Sequence, residues 1–122
     1  MRVSFIQLSG FAANWQRMKL TDEDLRTLEA IIRDAPDHPP VMRGTGGLRK
    51  VRFAPASSSR GKSGGVRVCY AYFPEFDLIY LCAVFAKNDK ANLTPGEREA
   101  FRQLLESFQG YLRENWPKGW TP

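Results

Sequence analysis

The chain has 122 residues, which suits a single domain with one hydrophobic core. Hydrophobic residues make up 43% of it, too many for a disordered chain, and no apolar run approaches the length of a bilayer span. The net charge is +5, and the two cysteines are too few for a disulfide framework. The sequence also has no signal-peptide pattern. Together these features predict a cytoplasmic protein without a membrane partner.

The N-terminal part predicts a strand followed by two helices. Residues 3–8 are rich in β-branched and aromatic side chains, as in a short strand. Apolar residues then recur at helical spacing, first in a short helix and next in one that Thr21 caps. Pro36 ends the second helix, and PDHPP predicts a stiff, exposed linker. The apolar residues of the two helices are Phe11, Trp15 and Met18, and Leu25, Leu28 and Ile32.

From Leu48 onward the apolar period changes to two, which predicts three strands. In the first, Lys50 and Arg52 lie on one face and Val51 and Phe53 on the other. The segments VRVCYAYF and DLIYLCAVFAK predict an antiparallel hairpin around the tight turn PEFD. If that hairpin is symmetric, the two cysteines are paired across the strands, on the same side of the sheet as Arg67. We expect them to be small buried hydrophobic residues rather than a disulfide. The cysteines are Cys69 and Cys82.

The C-terminal part predicts a long helix. Thr94, Pro95 and Glu97 supply an N-cap, a proline at the first helical position and the acid of a capping box. One face is apolar, formed by Phe101, Leu104, Leu105, Phe108 and Leu112. The order of elements predicts an α+β fold, with two N-terminal helices and a C-terminal helix on a small antiparallel sheet. We expect one domain over residues 1–122, with residues 113–122 as a tail.

Positive charge is concentrated in the middle of the chain. Between His38 and Pro74 there is no acidic residue, whereas the segment contains seven basic ones. They are Arg43, Arg49, Lys50, Arg52, Arg60, Lys62 and Arg67. Such clustering favours a polyanionic partner, because clustered cations bind by releasing the counterions of a phosphate backbone. The alternative is a solvated basic face that keeps the protein soluble.

Familiar catalytic motifs are scarce. Ala56, Gly61, Lys62 and Ser63 fit a relaxed phosphate-loop pattern, but a β-branched segment follows where that motif needs a helix. His38 lies in the rigid linker, and the sequence has no HExxH or CxxC, so we expect no metal site and no cofactor. What remains is a sheet with a cationic face, which suits either phosphoryl chemistry or simple RNA binding. Its residues are Lys50, Arg52, Arg67, Lys87, Asn88 and Lys90.

Three motifs in this order resemble the RelE-like toxins of type II toxin–antitoxin modules, specifically the HigB-like branch. They are GTGGLRKVRFA, GKSGGVRVCYAYF and AVFAKNDKANLTPGE, and the resemblance covers Val41 to Leu105. It implies a small antiparallel sheet with helices on one face and a concave basic face opposite. It also implies a ribosome-dependent mRNA endonuclease that cuts messenger RNA in the decoding site, the A site of the 30S subunit. The implied partner is a cognate helix-turn-helix antitoxin similar to HigA.

The resemblance also implies the site residues. The basic pair of the family matches Lys50 and Arg52, its arginine after the glycine-rich loop matches Arg67, and its basic cluster after the last strand matches Lys87 and Asn88. The implied catalytic residues are Lys50, Arg52, Arg67 and Lys87, with Asn88 and Lys90 in RNA binding. From the basic segment we add Arg49, Arg60 and Lys62 as expected RNA-binding residues. Asn88 replaces a family arginine, and a family tyrosine is missing near Leu93 and Thr94. These differences leave the general acid and base unassigned.

The implied reaction is metal-independent attack of a ribose 2′-hydroxyl on its own 3′-phosphate. Arg67 holds the phosphate, Lys50 or Arg52 orients the nucleotide, and Lys50 and Lys87 are candidates for taking the 2′-proton. Gly46 and Gly47 either let RNA approach the backbone or form a plain tight turn. Tyr70 and Tyr72 either stack bases or belong to the core.

Two other functions stay open at this level. A non-catalytic RNA- or ribosome-binding module needs the same basic face, and spacing alone does not separate it from an enzyme. A regulatory partner of a DNA-binding protein needs only a docking surface.

Overall fold

The computed structural model describes residues 2–56, 65–87, 90 and 92–115, and each predicted strand and helix is present among them. The strands are β1 (Ser4–Gln7), β2 (Leu48–Phe53), β3 (Val66–Phe73) and β4 (Leu78–Ala86). The helices are α1 (Ser9–Arg17), α2 (Asp22–Asp34) and α3 (Pro95–Asn115). The α+β class is confirmed, and α3 includes the first three residues of the predicted tail.

The four strands form one sheet in the order β1-β4-β3-β2. β2, β3 and β4 are antiparallel, as predicted, whereas β1 pairs with β4 in parallel and makes the sheet mixed. Backbone bonds fix the ends of that pair, from Ser4 N to Asp77 O at 2.9 Å and from Leu8 N to Leu81 O at 3.0 Å. The first and last strands of the chain therefore lie side by side, and β1 and β2 form the two edges.

Helices cover both faces of the sheet. On one face, α1 and α2 pack on the strands through a cluster that includes Phe11, Leu28 and Val68. On the other face, α3 packs through Leu105 and Leu112 in a second cluster. The arrangement implied by the resemblance, with all helices on one face, is therefore wrong for α3. The physical reason lies in β3 and β4, which are almost continuously buried and need cover on both faces.

Both predicted helix N-termini are capped by side chains. The backbone N–H of Asp24 donates to Thr21 Oγ1 at 3.0 Å, and Asp24 Oδ2 accepts from Thr21 N at 3.1 Å. At α3, the N–H of Glu97 donates to Thr94 Oγ1 at 3.1 Å, and Glu97 Oε1 accepts from Thr94 N at 2.8 Å. The predicted capping box of α3 is thereby confirmed.

The hairpin of β3 and β4 is not symmetric. Its register shifts between Cys69 and Tyr70, so Cys69 faces Ala83 and the predicted pairing with Cys82 is wrong. Such a bulge inserts an extra residue into one strand, which a symmetric alternation does not anticipate. Both cysteines are free and buried, and burial raises the pKa of each thiol to about 12. Their predicted role as small buried hydrophobes is confirmed.

No helix among the described residues has the length and apolar character needed to cross a membrane.

Candidate functional site

Three basic residues of β2 and β3 lie on the face of the sheet that α3 covers in part. Lys50 is opposite Cys69, and Arg52 is opposite Arg67. Cys69 belongs to the core cluster under α3, so alternation along the strands places Lys50, Arg52 and Arg67 on that same side. The sequence predicted this shared face, and the antiparallel register additionally brings the two arginines directly opposite each other.

The two facing arginines differ in their exposure to solvent. Arg52 is exposed and Arg67 is half-buried, so an anion can reach the pair from solvent. A phosphate bound at this pair would accept charge-assisted hydrogen bonds from the guanidinium groups.

The end of β4 brings further cations to this region. Lys87 follows the strand directly and is exposed. Lys90 differs, because its Nζ bonds both oxygens of Glu97, at 2.6 and 2.7 Å, and lies 5.4 Å from the centre of the Phe85 ring. The hydrogen bond from Lys90, followed by the backbone of Thr94, lowers the pKa of Glu97. The charge of Lys90 is thus compensated within the protein, which weakens the prediction that it binds RNA.

The segment before α3 holds Lys50 in place. Lys50 Nζ donates to Asn92 Oδ1 at 3.4 Å, and the same oxygen accepts the N–H of Leu93 at 2.9 Å. The N–H of Arg98, in the first turn of α3, donates to the carbonyl of Thr94 at 3.0 Å, so this residue directly follows the same segment. Sequence reasoning missed Asn92 and Arg98. Their closeness in sequence to the predicted N-cap Thr94 could have indicated them.

Arg49 lies on the opposite face. Its register partner is Tyr70, which belongs to the core cluster of α1 and α2. Its Nη1 donates to the carbonyls of Asp37, at 3.0 Å, and Pro39, while Tyr70 Oη donates to Pro36 O at 2.8 Å. Both side chains therefore hold the linker after α2. For Tyr70 this supports the core interpretation. Arg49 lies on the face opposite Lys50 and Arg52, because neighbouring strand residues point to opposite faces, and this argues against its proposed role in RNA binding.

Replacing Arg49 by alanine should lower the free energy of unfolding by about 1–2 kcal/mol, because it removes charged hydrogen bonds to the linker. Affinity for an RNA oligonucleotide should change by no more than about twofold, because a charge on the far face is screened. The matched control on the same strand is Arg52→Ala, which should weaken RNA binding without loss of stability. Urea unfolding and RNA titration measure the two effects. Equal losses of RNA affinity in the two variants would contradict this assignment.

The glycine-rich turn before β2 packs against α3. Thr45 is fully buried, and its hydroxyl donates to Met42 O at 2.7 Å and accepts the N–H of Leu48 at 2.9 Å. Gly46 has φ +74°, and a Cβ there would lie 3.2 Å from Arg102 Cα. This glycine is therefore explained by a tight turn against a helix. The arrangement gives RNA no closer access at Gly46.

The remaining predicted residues divide into two groups. Arg60, Lys62 and Asn88 lie outside the described residues. His38 is exposed in the linker, and Tyr72 is half-buried beside the cluster of α1 and α2. Within the described part of the chain, the site therefore consists of Lys50, Arg52 and Arg67 on the strands, Lys87 after β4, and the first turn of α3.

Comparison with known proteins identifies relatives of this arrangement. The family model described as "RelE toxin of RelE / RelB toxin-antitoxin system" matches residues 7–117. Among solved structures, the chain is similar to the isolated E. coli RelE toxin, with a TM-score of 0.51 and 18% identity, over 85% of this chain and 100% of that one. It is also similar to an E. coli RelE mutant in the free state, with a TM-score of 0.51 and 16% identity, over 74% of this chain and 88% of that one. At these identities the structural likeness concerns the fold.

Proposed function

The chain belongs to the RelE toxin family of toxin–antitoxin systems, and on this premise we propose that it is a ribosome-dependent mRNA endonuclease that inhibits translation. Its substrate is messenger RNA in the A site of the 30S subunit, and it acts in the cytoplasm. Family membership implies an antitoxin partner. Our proposal further assigns the chain to the HigB-like branch, with a helix-turn-helix antitoxin similar to HigA.

The facing pair of Arg52 and Arg67 carries the proposal. Together with Lys50, these arginines place three cationic side chains on one face of two paired strands, which suits contact with a phosphate backbone. Fixed cations stabilise the negative charge that develops on a phosphate as a nucleophile attacks it. A pair that is already in place when the substrate binds needs no rearrangement during the reaction.

In the proposed mechanism, the 2′-hydroxyl attacks the adjacent phosphorus. The new bond joins the 2′-oxygen to phosphorus, and the bond from phosphorus to the 5′-oxygen breaks. The products are a 2′,3′-cyclic phosphate and a 5′-hydroxyl end. Arg67 holds the phosphate oxygens, and Arg52 orients the nucleotide from the facing strand. Lys50 and Lys87 are the two lysines assigned to proton transfer at the 2′- and 5′-oxygens.

The proposal is tested with purified protein, translating ribosomes and a defined reporter mRNA. Primer extension should show cuts within the codon in the A site, and the upstream fragments should end in a 2′,3′-cyclic phosphate. Omitting ribosomes is the control and should reduce the cuts strongly.

The non-catalytic binding module makes the opposite prediction. It binds RNA or ribosomes with salt-dependent affinity but releases no fragment with a cyclic phosphate end. Intact mRNA together with stalled ribosomes would therefore reject the endonuclease and support the binding module.

A further inference from the structure

We propose that Arg98, in the first turn of α3, binds a second phosphate of the RNA, next to the one held between Arg52 and Arg67. This inference deepens the proposed function, because it extends the same site from the sheet onto the helix. It makes α3 part of the RNA-binding surface, in addition to its role in covering the core.

The position of Arg98 connects it to the strand cations. Lys50 Nζ donates to Asn92 Oδ1 at 3.4 Å, in the segment that leads into α3, and the N–H of Arg98 donates to the carbonyl of Thr94 in the same segment at 3.0 Å. Lys50 therefore approaches this segment from the sheet, and Arg98 approaches it from the helix. The two cations lie on neighbouring elements of one surface.

The charge of Arg98 is available to a ligand. Its Nη1 donates to the backbone carbonyl of Arg43 at 3.0 Å, which is a neutral acceptor. No carboxylate of the described residues forms an ion pair with it, and Glu97 beside it is held by Lys90. A guanidinium has five N–H donors, so one bond to a carbonyl leaves most of them free to reach a phosphate.

Arg102, one turn further along α3, has the opposite environment. Its guanidinium bonds Glu99 and, at 2.8 Å, Glu106, so two carboxylates compensate its charge. On the same helix, carboxylates thus compensate the charge of the arginine at position 102 but not that of the arginine at position 98. The N-terminal end of a helix also favours a bound anion, which adds to the attraction at Arg98.

The test compares Arg98→Gln with Arg102→Gln in binding to a single-stranded RNA that carries 2′-O-methyl groups and is not cleaved. Glutamine keeps an N–H donor for the carbonyl of Arg43 but removes the charge. Arg98→Gln should lower the salt slope of the binding constant by about 0.7, as expected for one phosphate contact, and lower affinity about fivefold at 0.1 M salt. Arg102→Gln should leave both unchanged.

Two results would overturn this assignment. One is an unchanged salt slope of the RNA-binding constant in Arg98→Gln. This holds also if the substitution weakens antitoxin binding instead. The other is equal slopes in the two glutamine variants. Because the RNA is not cleavable, the outcome is independent of catalysis. If the wild-type protein cuts no mRNA but Arg98→Gln still lowers the slope, the endonuclease proposal fails and the phosphate site stands.

Discussion

Replacing Arg67 by alanine is expected to lower the rate of mRNA cleavage by about 10²–10³-fold, the loss typical when one preorganised donor to a developing anion is removed. The reason is its position, directly opposite Arg52 on the face that carries Lys50. In cells, induced expression of the wild-type protein should arrest growth, and the variant should not. Primer extension on a reporter transcript measures the loss of cuts directly.

Arg26→Ala is the matched control for this experiment. Arg26 is exposed on α2, and α2 packs on the opposite face of the sheet. This variant should cleave at the wild-type rate, and both variants should give the circular dichroism spectrum of the wild type. If folded Arg67→Ala cleaves within about threefold of the wild type, Arg67 does not stabilise the transition state.

Replacing Gly65 by alanine is expected to have the largest effect on stability, about 2–5 kcal/mol, from a left-handed backbone and an overpacked contact together. Gly65 has φ +63°, and a Cβ there would lie 2.4 Å from the carbonyl oxygen of Phe53. That oxygen belongs to the backbone, so no flexible side chain can give way. The neighbouring pair of Phe53 and Val66 must separate instead, which also disturbs Arg52 and Arg67 next to it.

Urea unfolding measures this loss as a lower midpoint with an unchanged slope. Gly110→Ala is the contrasting glycine variant, because Gly110 lies inside α3 with nothing within 4 Å of the added Cβ. It should raise stability by about 0.5–1 kcal/mol, the usual gain from alanine in a helix. A wild-type midpoint for Gly65→Ala would show that the backbone at Gly65 adapts without strain.

Much of the local structure followed from the sequence. The strand VRVCYAYF was predicted with the bounds that β3 has, and Thr94 with Glu97 forms the predicted capping box. These features depend on residues within a few positions of one another, so a local pattern contains the whole cause. The shared face of Lys50 and Arg52 is of the same kind, because alternation along one strand decides it.

The errors arose where two distant segments meet. The bulge at Cys69 displaced the predicted pairing with Cys82. The bonds of Arg49 to the carbonyls of Asp37 and Pro39 were also not foreseen. The contact between Lys90 and Glu97 was likewise not foreseen, and it compensates the charge of a residue proposed to bind RNA. The sequence shows which side chains are basic, and its periodicity indicates which face of a strand they occupy. Neither shows which carboxylate or carbonyl comes within reach after folding.

The sequence by itself therefore determined the elements, the concentration of cations in the middle of the chain and the face on which the strand cations lie. The tertiary structure alone decided that β1 lies beside β4, that α3 covers part of the basic face, and that Lys50 contacts Asn92 in the segment leading to Arg98. The physical reason is the range of the interactions. Hydrogen-bonded turns and alternation act between close neighbours in sequence, whereas burial of both sheet faces brings together segments that are far apart in the chain.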